Sequence, residues 1–78
     1  MAVAPQSPLA RNALALINAK GHVTVDAGLP VADLVALAEA AAKWGVSLTL
    51  RRASVRGTAD LERIAHAGRG RVTFDLAG

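Results

Sequence analysis

Two carboxylates and a guanidinium stand at equivalent places in three strand-like runs of this chain: Asp26 in the run 22–26, Arg51 in 46–51 and Asp75 in 71–76. With the runs paired in register, Asp26 and Asp75 would flank Arg51 at roughly 9 to 10 Å from each other, two strand spacings apart. That separation is near the wide end for an acid and a base acting across a water in inverting glycoside hydrolysis. The surrounding sequence offers no aromatic sugar platform, no pocket-forming pattern and no means of raising one carboxyl's pKa. No catalytic residue is assigned, and the row is read as a charge pattern that sets strand register.

Other reactive types are equally scattered. His22 lies in the first strand-like run and His66 late in a helical one, and with no Cys in the chain there is no metal-ligand spacing. Ser7, Ser47 and Ser54 lack the context of an activated nucleophile. Gly68-Arg69-Gly70-Arg71 invites a phosphate cradle, but such a loop precedes a helix, whereas this one follows a helix and precedes a strand. A helix stop and turn account for it better. No cofactor is implied.

The net charge is +3, and Arg51, Arg52, Arg56, Arg63, Arg69 and Arg71 all lie in the stretch 51–71. Nucleic acid is the alternative partner this suggests, through Arg51, Arg52, Arg56 and Arg63. Stacking aromatics, usual among single-strand binders, do not accompany these arginines. A cytoplasmic setting is expected from the absence of Cys and of a signal-peptide pattern. The longest apolar stretch, 31–44, is interrupted by Asp33, Glu39 and Lys43 and is short for a bilayer span of about 20 residues.

The elements that must position these residues recur. Gly21, Gly45 and Gly70 each follow a helix-like run and precede an alternating one, at spacings of 24 and 25. Residues 1–6 read as a flexible lead and 7–78 as one domain of three αβ units. Ser7-Pro8 is a helix start, and the first helix should run over 8–19 to Lys20-Gly21. The second runs from near Pro30 to Lys43 or Trp44, and the third from Thr58 to about Ala67. Asp33 and Asp60 sit in their first turns, and Ala32-Asp33-Leu34 matches Ala59-Asp60-Leu61. At the end of the first helix Gly21 is expected to be free to take the left-handed cap conformation, and Gly45 and Gly68-Arg69-Gly70 follow the other two.

Inward strand positions are Val23 and Val25, then Val46, Leu48 and Leu50, then Val72, Phe74 and Leu76. Outward ones form cross-strand rows: His22, Ser47, Arg71; Thr24, Thr49, Thr73; and Asp26, Arg51, Asp75. Only one face of each strand is apolar, which argues against a sheet covered on both sides. Helical crossovers make the strands parallel, and right-handed connections in order 1-2-3 put every helix on one face. The fold class expected is thus α/β: a small parallel three-stranded sheet with helices on one side, built from three units of 24–25 residues.

The period and the apolar-x-apolar strands, as in Leu48-Thr49-Leu50 and Val72-Thr73-Phe74, resemble leucine-rich repeats, although the Asn or Cys ladder of that family is missing. The resemblance implies a solenoid-like interaction scaffold and no particular chemistry. A 78-residue chain with 3% aromatics has a thin core, which points to association as a supplement. The first and last strands present open edges, and the last unit stops without a cap. The expected function is a non-enzymatic, bacterial-type structural or protein-interaction module that self-associates as an oligomer or filament. Its interface candidates are His22, Thr24, Asp26, Trp44, Arg71, Thr73 and Asp75. Trp44 has two readings: it closes the core over neighbouring helices, or it anchors an interface.

Overall fold

Pro8 places a preset φ in a first helical turn, and a helix follows from it: α1 spans Pro8–Asn18, with Ala10, Ala13 and Ile17 buried at helical spacing. The structure, a computed structural model, describes residues 8–76; the 1–6 lead, the Ser7 cap, Ala77 and Gly78 lie outside the described residues. Beyond α1 come β1 (Val23–Asp26), α2 (Val31–Trp44), β2 (Leu48–Arg51), a single 3-10 turn (Ala53–Val55), α3 (Thr58–Gly68) and β3 (Val72–Phe74). The strands are parallel in the order β1-β2-β3. The protein is thus a small α/β fold with three helices and an open three-stranded sheet.

Register follows the alternation. Val23, Thr24, Val25 and Asp26 pair with Leu48, Thr49, Leu50 and Arg51; Leu48, Thr49 and Leu50 pair with Val72, Thr73 and Phe74. Val25, Leu48 and Leu50 are buried and share one core with Leu34, Leu37, Ile17 and Ile64 from the helices. α2 packs between α1 and α3. On the other face Thr24 and Thr73 are exposed and Thr49 is half-buried. No element covers that face among the described residues.

The register also corrects the glycine pattern. Partners step by 25 and then 24 residues (Val23, Leu48, Val72), whereas the glycines step by 24 and then 25. The left-handed residue three places before each of those partners is therefore Lys20 (φ 68°), Gly45 (φ 69°) and Arg69 (φ 48°). After α1, the Lys20 amide donates to the Ile17 carbonyl and the Gly21 amide to that of Leu16, both at 2.8 Å, a Schellman closure with Lys20 in the strained place. After α2 that residue is Gly45 itself, and after α3 Gly70 is left-handed as well (φ 85°). Non-glycine residues at the other two corners carry a cost of about 1–2 kcal/mol each for the left-handed conformation.

Two further expectations change. Leu76 is 62% exposed, not inward, because β3 ends at Phe74 and the chain leaves the sheet. Val23, Val72 and Phe74 are half-buried, since they lie on edge strands with a neighbour on one side only. Asp33, in the first turn of α2, is 2% exposed; a carboxylate there faces the amide end of the helix dipole.

Candidate interaction surface

The bare face carries the rows read from the sequence. At its amino edge, His22 Nδ1 accepts the Ser47 amide at 2.9 Å, so the ring is held across β1 and β2 with its remaining proton on Nε2. Arg71 completes that row in sequence, and the Leu48 amide donates to its carbonyl at 2.9 Å. His22, Ser47 and Arg71 are all exposed. Thr24, Thr49 and Thr73 form the middle row.

The carboxyl edge is wired differently from the alternating row expected there. Asp26 is level with Arg51, but its carboxylate is held by Arg52: Nε donates to Oδ2 at 2.8 Å and NH2 lies 2.7 Å from the same oxygen. The reason is backbone conformation. Arg52 is left-handed (φ 55°), which bulges the chain after β2, so that the Ala53 amide reaches the Asp75 carbonyl at 2.9 Å. Oδ1 of Asp26 accepts the Gly28 amide at 2.6 Å.

That amide and then the Arg52 guanidinium hold the Asp26 carboxyl below its usual range against an upward push from burial, and the charge of Arg51 adds least. With the folded pKa depressed, the stabilisation is present above the unfolded carboxylate value of about 3.9 and is lost as pH falls through the lower folded value. Asp26→Asn should therefore melt below the wild type at neutral pH, and the gap should close as pH falls toward about 2. Thermal melts across pH read this; a gap constant in pH would mean that the charge does not matter.

Of the arginines proposed for nucleic acid, Arg52 is thus engaged by Asp26. Arg56 is also engaged: Nε donates to the Ala27 carbonyl at 2.8 Å, and NH2 donates to that of Leu29. These bonds clamp the turn between β1 and α2 from the far side of the 3-10 turn. Arg51 and Arg63 are exposed, on β2 and α3 respectively. Two of the four side chains, Arg52 and Arg56, thus have acceptors within the chain.

Trp44 does not close the core. It is 39% exposed and outside the core; Nε1 donates to Asn18 Oδ1 at 3.0 Å, and Lys43 Nζ lies 5.2 Å from the ring centroid. It ties the carboxyl ends of α1 and α2 together and leaves part of its ring outside.

Apolar surface lies elsewhere. Leu9 and Leu16, seven residues apart on α1, are 54% and 57% exposed, and Val55 in the 3-10 turn is 55% exposed. Their spacing marks a second apolar stripe on α1, legible in the sequence but overlooked beside the strand pattern. An open groove of about 440 Å³ between α2 and α3 is lined by Glu39, Ala42, Lys43, His66, Ala67 and Arg69. Its lining holds no Ser, Thr or Cys beside His66, and His22 lies elsewhere, just before β1. Among the described residues no cluster of three or more His, Cys, Asp or Glu is placed to hold a metal ion, and no helix is long and apolar enough to cross a membrane. No protein-family model, curated protein or solved structure matches the chain.

Proposed function

We propose that this protein is a non-enzymatic structural or interaction module that associates with copies of itself through its open sheet edges and helix faces. The observation that carries the reading is the all-parallel sheet of three strands with one face uncovered and an edge strand on each side. Parallel sheets occur almost only where both faces are buried, and exposed edges invite pairing. The exposed Leu9 and Leu16 on the outermost helix add apolar surface for the same purpose. The αβ units are read as repeats of a solenoid-like stack, which a further copy extends. A cytoplasmic setting goes with this reading, in keeping with a chain that has no cysteine.

Sedimentation velocity over a wide concentration range tests it. The expected result is a mass above that of the 8.0 kDa chain, rising with concentration. A species that stays monomeric at the highest concentration ends the proposal.

A further inference from the structure

Resting on that self-association, we infer that a second copy of this chain joins strand to strand along β3, antiparallel about a two-fold axis at Thr73. Backbone direction comes first. Within the sheet, the Arg71 carbonyl accepts from Leu48, the Asp75 amide donates to Leu50 and the Asp75 carbonyl accepts from Ala53, each at 2.9 Å. Odd-numbered residues of β3 therefore turn their peptide groups toward β2. The amides and carbonyls of Val72 and Phe74, between them, face the open edge.

Two such edges meet antiparallel when Val72 opposes Phe74 of the second copy and Phe74 opposes its Val72. Each pair then exchanges two hydrogen bonds, and Thr73 faces Thr73 as the non-bonded pair between them. Side chains agree with this register. Val72 and Phe74, half-buried in the single chain, meet on the helix side, and on the polar face Arg71 of each copy stands opposite Asp75 of the other. Two opposite-charge pairs result, and a carboxylate has acceptor positions enough to take a guanidinium beside the interaction Asp75 already makes in its own chain. An axis normal to the sheet keeps both helical layers on one side, so two three-stranded sheets become one of six strands.

The competing join is head to tail, β3 against β1 of the next copy, which also satisfies the backbone groups. It sets Thr73 beside Thr24, Asp75 beside Asp26 and Arg71 beside His22: like charges side by side at one end and no opposite pair at the other. A two-fold β1 join about Thr24 would set His22 opposite Asp26, whose charge Arg52 already balances, so it offers no guanidinium–carboxylate pair. Charge therefore selects β3 with β3. A two-fold contact also closes, whereas a head-to-tail one propagates.

Complementary charge variants test the register. Arg71→Asp alone and Asp75→Arg alone each put two like-charge pairs into the homodimer, and each should weaken it on the order of tenfold to a hundredfold. Mixed in equal amounts, they regenerate both opposite pairs, and a dimer of wild-type strength should return. Circular dichroism confirms that each variant is folded before mixing.

Thr73→Cys gives an independent readout. A non-bonded antiparallel pair brings Cα atoms to about 4.5 Å, within disulfide range, in a chain with no other cysteine. Mild oxidation should give a covalent dimer. If the wild type assembles yet Asp75→Arg tightens it, the single variants leave it unchanged, the mixture gives no recovery, or Thr73→Cys does not crosslink, this register is overturned while self-association stands. A strictly monomeric wild type overturns both.

Discussion

Replacing Leu50 with Ala should lower the unfolding free energy by about 2–5 kcal/mol, the range for removing a fully buried leucine. Leu50 is at the centre of the molecule: 0% exposed, on the middle strand, with Val25 on one side, Phe74 on the other and the helical layer above. The loss combines the transfer free energy of the deleted carbons with a cavity that neighbours fill only partly, because strands paired on both sides cannot close inward. A domain of 78 residues has roughly 4–12 kcal/mol of stability in total, at about 0.05–0.15 per residue. One methyl-for-isobutyl change thus removes a large share. Urea unfolding should show a lower midpoint with little change in slope. Leu76→Ala is the control: 62% exposed, it should leave the midpoint nearly unmoved. A Leu50→Ala loss below about 1 kcal/mol would contradict a core centred on β2.

What the sequence made legible was whatever alternation alone decides. Leu48 and Leu50 inward, Thr49 outward, and the three threonines in one row follow from a period of two, and a shift of one residue would have turned the apolar set to the open face. Corners were less legible. Gly21 advertises a left-handed cap, yet Lys20 takes that place, and after α3 Arg69 is left-handed together with Gly70. The wiring of the arginines was least legible. Neighbouring Arg51 and Arg52 differ in fate because only Arg52 is left-handed, and Arg56 finds two carbonyls that sequence distance conceals: Ala27 and Leu29 are 29 and 27 residues away. Two members of a basic cluster thereby acquire partners in the chain that the sequence does not display. The open edges were readable in the sequence, but the choice between the proposed joins depended on knowing which peptide groups face outward.

Gly68→Ala should destabilise the fold by about 1–3 kcal/mol even though it places a better helix former in α3. Ala in place of Gly within a helix gains up to about 1 kcal/mol, and at the last residue of α3 that gain is smaller. Against it stands a collision: a Cβ at this position would lie 2.3 Å from a methyl of Val72 and 3.4 Å from its Cβ, with the Ala38 Cβ at 3.5 Å on the other side. Ordinary carbon contacts begin near 3.5 Å, so something must move by about 1 Å. Val72 gives way poorly, because a β-branched side chain has few rotamers and its backbone is paired to Leu48. Gly68 is thus a point of close approach of α2, α3 and β3, and its lack of a side chain lets α3 sit this deep on the edge strand. Removing the clashing methyls by Val72→Ala should rescue much of the loss, so the double variant should be more stable than the sum of the single changes predicts, by about 0.5–3 kcal/mol. Urea midpoints of the four chains measure this coupling, and a stabilised Gly68→Ala would show that α3 is free to lift. Lifting α3 would also displace β3, so the single variant should self-associate more weakly than the wild type under conditions where both remain folded.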